Sequence, residues 1–157
     1  MNAIAKSTKT LSLQRMKAIV SELAAVKSRQ DLEGALAIYH PEGVLLSPPL
    51  GSRAQGRAEL RNSLTAFFRF APDYSVDLHG QAADGDTLCA WGEIRFTPAY
   101  SFRGDKPNGK PSRTPVFILF RFRDDQVFWE SFHFDLADVA RQVGLPAEAF
   151  QPREQAR

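Results

Sequence analysis

Residues Pro115 to Gly144, PVFILFRFRDDQVFWESFHFDLADVARQVG, constrain the fold more than any other stretch of the chain. Asp124 and Asp125 interrupt two runs rich in Val, Ile, Phe and Trp, the pattern of a β-hairpin closed by a short turn. With those two residues as the loop, Arg123 stands opposite Gln126. The register then pairs Phe122 with Val127, Phe120 with Trp129, Ile118 with Ser131 and Val116 with His133. Paired residues share a face, so one face is apolar until Ser131, His133 and Asp135 arrive at its end. An apolar wall that ends in polar groups is what a ligand pocket needs. The opposite face mixes Arg121, Arg123 and Glu130 with Phe128, Phe132 and Phe134. Those phenylalanines are too many to leave in water, which predicts a homodimer that covers them.

Composition limits the alternatives. A chain of 157 residues, 43% hydrophobic and 24% charged, suffices for one soluble domain with a real core, placed at about residues 9–146 between flexible tails. The formal net charge of +2 is spread without a basic stripe, so nucleic acid is not an expected partner. The single cysteine, Cys89, lies in an apolar strand-like run and reads as a buried structural thiol rather than a nucleophile. The N-terminus lacks the apolar core of a secretory signal, and no run approaches the ~20 apolar residues of a membrane span. A cytoplasmic location is the expectation.

Taken in order, the chain gives helices and then strands. Leu13, Met16, Ile19 or Val20, Leu23 and Val26 recur at helical spacing behind a cap at Thr10 or Ser12, with Lys17, Glu22 and Lys27 placed on the far side. A second helix starts near Asp31 and stops at Tyr39-His40-Pro41. Glu42 to Leu46 reads as a strand, and the adjoining Ser47-Pro48-Pro49-Leu50-Gly51 is irregular because its prolines give no amide hydrogens to a ladder. Arg57 to Phe70 reads as a helix whose Leu60, Leu64, Phe67 and Phe68 form a core stripe. Period two begins at Tyr74, turns at Ala83-Asp84-Gly85-Asp86, and returns from Thr87 to Thr97 with either face free to line the interior. Pro98 to Thr114 is a long connection, either a lid or a plain hairpin link. The tail after Pro146 reads as frayed. The sum is an α+β class: a strongly bent, mostly antiparallel sheet wrapped around N-terminal helices into a cone-shaped barrel, with a pocket at the open end.

The succession AIYHPEGVLLSPPLG, GRAELRNSLTAFFRFAPDYSV, ADGDTLCAWGEIRFT, FRGDKPNGKPSRTPVFILFRFRDDQVFWE and FDLADVARQVGLP resembles the SnoaL-like polyketide cyclases of the nuclear-transport-factor-two-like superfamily, over roughly Leu32 to Pro146. The resemblance implies the cone-shaped barrel, a homodimer through the outer face of the sheet, and acid-base chemistry with no cofactor and no metal. It also implies that an aspartate ahead of the last helix takes a proton from an acidic carbon, a place held here by Asp135 before Arg141-Gln142-Val143-Gly144. Ketoisomerases of the superfamily carry a general-base aspartate where this chain has Ser47-Pro48-Pro49, which argues against their mechanism. The usual motif also has an aromatic residue where Ser131 stands.

The expected chemistry places Asp135 as base on a hydrophobic carbonyl compound. His133, about 7 Å away on the same strand face, polarises the carbonyl. Ser131 adds a hydrogen bond, and Trp129, Phe120 and Phe122 stack on the substrate, with Tyr39 and Trp91 as further pocket residues. Each has a structural alternative: Asp135 before LADVARQ also suits a helix N-cap, and His133 also suits a core position. His40, His79 and His133 lack the spacing of a metal site. Two functions fit these residues: a small lyase or isomerase performing aldol-type cyclisation or isomerisation, and a non-catalytic ligand-binding or dimerisation module.

Overall fold

The computed structural model describes residues 10–152; the expected loose segment ahead of Thr8 and the end of the C-terminal tail lie outside the described residues. Within it, helices α1 (Leu13–Ser28) and α2 (Leu32–Ile38) come first, then β1 (Tyr39–Ser47), a three-ten turn at Pro48–Leu50, β2 (Ser52–Gln55) and α3 (Arg57–Phe70). Strands β3 (Ser75–Asp84), β4 (Thr87–Phe96), β5 (Ser112–Arg123) and β6 (Gln126–Phe134) come next, and α4 (Leu136–Gln142) ends the regular structure. The caps explain the boundaries. Ser12 accepts from the Arg15 amide, Asp31 from Gly34 and Asp135 from Asp138, each satisfying an amide that the first helical turn leaves free.

The strands form one sheet in the order β2-β1-β6-β5-β4-β3, antiparallel except for the β1–β6 pair. This is the expected α+β fold, with the sheet curled into a cone but open at its β2 and β3 edges. Register irregularities bend it: between Leu78 and Gly80 on β3, between Tyr39 and Val44 on β1, and at Phe128 on β6. The concave face receives α1 against β3 and β4, and α3 against β1 and β2. Leu88, Ala90, Ile94 and Phe96 point inward, which settles the face of β4 that periodicity left open. Trp91, Cys89 and Glu93 therefore face outward, and Cys89 is half-buried on the convex side rather than enclosed in the core.

One expectation is corrected at the hairpin. The turn is as read, with Asp124 and Asp125 both at positive φ, and Arg123 pairs with Gln126 and Phe122 with Val127. Phe128 then bulges out of the ladder, and from there each partner is displaced by one: Arg121 with Trp129, Phe120 with Glu130, Ile118 with Phe132 and Val116 with Phe134. Because side chains alternate, one inserted residue exchanges the faces of everything beyond it. Phe132 and Phe134 enter the core, while Trp129, Ser131 and His133 turn outward. The burial of Phe132 and Phe134 in the core favours this register; Ser131, though turned to the convex face, is still only 4% exposed, while His133 is exposed.

The region beyond Pro146 is also corrected. Ala149 and Phe150 are buried; the Phe150 ring packs on Phe70 and Phe102 at centroid distances of 5.3 and 5.9 Å, and the Phe102 amide donates to the Ala149 carbonyl. The connection between β4 and β5 is held nearby as well, since the Asn108 amide donates to the Val143 carbonyl. Phe150→Ala should therefore lower the unfolding free energy by about 3–5 kcal/mol, read as a lower urea midpoint with an unchanged slope.

Candidate functional site

Three polar side chains meet inside the cone. Lys27 stands in the last turn of α1 on the line of Val20 and Leu23, so it faces the sheet and not, as its charge suggested, the solvent side of the helix. Glu130 is turned inward by the Phe128 bulge, and Tyr39 enters where α2 passes into β1. The Lys27 ammonium donates to Oε1 and Oε2 of Glu130 at 3.0 and 3.2 Å, and the Tyr39 hydroxyl donates to Oε2 in a short hydrogen bond. Lys27 Nζ also lies 5.3 Å from the centroid of the Tyr39 ring. Glu130 is 1% exposed and Lys27 9% exposed, so both charges have lost most of their water. Such a pair persists only when well hydrogen-bonded, and deleting one partner typically costs about 3–5 kcal/mol by stranding the other charge.

Tyr74, at the entry to β3, completes the polar end. Its ring sits edge-on to Phe67 at 5.0 Å, and its hydroxyl makes no hydrogen bond among the described residues. Burial and then the Glu130 charge hold the phenol far above its ordinary pKa; burial, Glu130 and the hydrogen bond to it do the same for Tyr39. Both are therefore neutral donors at any ordinary pH.

These groups border a cavity of about 600 Å³. Its floor is Lys27, Glu130 and Tyr74; its apolar walls come from Leu45, Phe67, Phe70, Phe102 and Phe132; and its rim includes the exposed Arg53, Glu59 and Asn62. The cavity-facing residues of α3 recur at the spacing of one helix side, so part of the stripe read as core is pocket wall. The connection from Pro98 contributes Tyr100 and Phe102 to the same cavity. The volume is that of a small-molecule site, with aromatic walls between polar groups at the floor and polar groups at the rim. Among the described residues no cluster of His, Cys, Asp or Glu is arranged to hold a metal.

None of the residues expected to form the site borders this cavity. Asp135 is exposed and accepts from the Asp138 amide at 3.0 Å, the capping alternative. His133 is exposed on the convex face, its Nε2 2.6 Å from Ser131 Oγ. Trp129 and Trp91 share that face; the Arg121 guanidinium lies over Trp129, and Trp91 crosses Gly80. Phe120 and Phe122 do face inward but stack on each other away from the cavity, and Tyr39 is wholly buried behind Glu130. The physical reason is the bulge for Trp129, Ser131 and His133, and the start of α4 for Asp135. Two signals pointed to the groups at the cavity floor: Lys27 continues the Val20 and Leu23 stripe, and Glu130 alternates with Phe132 and Phe134.

Fold and cavity together define a one-chamber α+β protein of the ketosteroid isomerase-like architecture, with a buried acid-base pair at the closed end. Residues 20–130 match the SnoaL-like domain, and the chain belongs to that family. A protein from Jannaschia sp. CCS1 assigned to the SnoaL-like polyketide cyclases superposes with a TM-score of 0.74 at 17% identity, over 88% of this chain and 99% of that one. A protein from Xanthomonas campestris pv. campestris assigned as a polyketide cyclase gives 0.70 at 22% identity, over 83% and 98%. TerC, co-crystallised with polyporic acid, gives 0.67 at 18% identity, over 82% and 97%. Among curated proteins none matches the chain in sequence. These structures share the fold of this chain, and no helix among the described residues is long and apolar enough to cross a membrane.

The two buried tyrosines make alkaline stability a direct test of the floor. A phenol with a raised folded pKa contributes stability that is intact below the unfolded value of about 10 and is lost as pH rises toward the folded value. Tyr74→Phe should leave stability at neutral pH nearly unchanged and make the decline above about pH 10 shallower by up to about 1.4 kcal/mol per pH unit, measured by urea titrations across that range.

Proposed function

We propose that the chain is a small cofactor-free enzyme that moves a proton on a hydrophobic carbonyl compound held in the cavity, as in aldol-type cyclisation or isomerisation. The observation that carries this reading is the Lys27–Glu130 pair at the cavity floor beside the unpartnered Tyr74 hydroxyl. The carbonyl oxygen would accept from Lys27 and Tyr74, whose donors are already oriented in a site of low polarity, so the enolate charge develops against groups that need no reorganisation. Glu130 would take the α-proton through the lone pair of Oε1 that Lys27 leaves free. Apolar walls exclude water and bind the rest of the molecule. The similarity to polyketide cyclases and to TerC with polyporic acid supports a compact organic ligand. Asp135 and His133 have no part in this scheme.

A second reading, binding without turnover, draws on the same triad: both Glu130 oxygens already accept hydrogen bonds from Lys27 and Tyr39 and are paired within the protein. Deuterium exchange separates the two. With flavanone in deuterated buffer, the protein should accelerate exchange of the protons next to the carbonyl. Lys27→Met/Glu130→Gln, which removes both charges together, should lose about 10²-fold or more of that acceleration. Asp135→Asn should retain it. Binding of aryl ketones with no exchange above buffer would favour the binding module.

We further propose a homodimer through the convex face, with its centre moved from Phe128, Phe132 and Phe134 to Trp91, Phe117, Leu119 and Trp129. Phe117 is 56% exposed and Trp91 37%, side by side across β4 and β5. Sedimentation at micromolar concentration should show a dimer for the native chain and a monomer for Phe117→Asp.

A further inference from the structure

Gln30 sits in a backbone conformation that its residue type rarely adopts, and its side chain there joins two residues of the cavity floor. Three non-glycine residues among the described ones have positive φ. Asp124 and Asp125 form the hairpin turn, where short acidic side chains tolerate it. Gln30, at φ 55°, stands in the corner between α1 and α2. Its amide donates to the Lys27 carbonyl at 3.0 Å and the Asp31 amide to the Val26 carbonyl at 2.9 Å, the pair of bonds that ends a helix at a left-handed residue. Such an ending favours glycine, because a Cβ there crowds the neighbouring carbonyl. The helix end by itself gives no reason for a glutamine.

The side chain gives one. Gln30 Nε2 donates to the Tyr74 carbonyl at 2.7 Å and also lies 3.4 Å from the Lys27 carbonyl. These are the main-chain oxygens of the two residues that offer donors to the cavity. Nearby, Ser28 Oγ accepts from the Val76 amide at 3.1 Å and ties the same helix end to β3, while Gln30 reaches Tyr74 itself. On its other side the Tyr74 amide donates to the Ala71 carbonyl, just past the end of α3. The Tyr74 hydroxyl has no hydrogen-bond partner among the described residues, and its ring meets only the edges of Phe67 and Phe132. The place of the phenol therefore depends on where its backbone is held. Gln30 joins the last turn of α1, which roots Lys27, to the segment that roots Tyr74.

Resting on the reading of the cavity floor as a proton-transfer site, we propose that Gln30 is a positioning residue for that reaction. Its amide sets the spacing between the Lys27 ammonium and the Tyr74 hydroxyl at the carbonyl oxygen, and the left-handed backbone at position 30 is retained for that link. Gln30 touches neither the ligand nor the reacting atoms. A departure from local preference that serves a site in this way is where function and stability part company.

The test follows exchange of the flavanone protons in deuterated buffer, with urea unfolding alongside. Gln30→Gly removes the side-chain amide and relaxes the backbone. Gln30→Lys keeps a donor of similar reach, and a cation is favoured at a helix C-terminus. Gln30→Gly should unfold at a urea midpoint equal to or above the native one, because relief of the left-handed backbone offsets the lost hydrogen bonds. Its kcat for exchange should nevertheless fall about tenfold with KM little changed, and Gln30→Lys should recover most of the native kcat. A purely structural glutamine gives the reverse pattern, a lowered midpoint with kcat intact. Native kcat in Gln30→Gly, a loss accompanied by a lowered midpoint, or a loss that Gln30→Lys does not restore overturns the positioning role and leaves the floor standing. No exchange above buffer with the native protein overturns the proton-transfer reading and this role with it.

Discussion

The insertion of Phe128 into β6 decides what the interior of this protein contains. The hairpin turn dictates only the first pairs; one extra residue then turns Glu130, Phe132 and Phe134 inward and Trp129, Ser131 and His133 outward. Without it the chamber would have no carboxylate opposite Lys27, and Tyr39 would have no acceptor. The bulge also adds twist and curvature where β6 lies between β5 and the parallel strand β1, which helps the sheet wrap around α1 and α3. The same backbone irregularity thus supplies both the shape of the cavity and the charge at its floor.

A buried ion pair is a costly way to close an apolar chamber. Leu or Met at positions 27 and 130 would fill the same space without desolvating two charges, and such replacements are often neutral or stabilising elsewhere. Here the pair is held by three hydrogen bonds and faces a cavity of about 600 Å³ rather than packed side chains. In the proposed function, the charged pair at the floor of an aromatic-walled chamber serves a ligand rather than stability. The convex face has a different character, with aromatic rings under arginines and a Ser131–His133 contact but no enclosure.

Much of the architecture was readable from local pattern. Ser12, Asp31 and Asp135 cap the helices, Pro72 comes just after the end of α3, and Asp124-Asp125 closes the hairpin. Each is a preference of a few neighbouring residues, which a linear reading can weigh. The short strand β2 was not read as a strand, because Ser52-Arg53-Ala54-Gln55 has little strand propensity and pairs only because β1 lies beside it. Ala149 and Phe150 looked like a tail because two residues carry no period; they are buried because the aromatic rings of Phe70 and Phe102 receive them.

The site divides along the same line. Sequence alone determined that this is an α+β chain with amphipathic helices covering one bent sheet, because apolar periodicity and turn chemistry are written residue by residue. Tertiary structure alone decided which acid faces the chamber and which lysine meets it. Strand facing depends on the summed burial energy of every residue beyond a bulge, and the partners of Glu130 come from the end of α1 and the start of β1, far away along the chain.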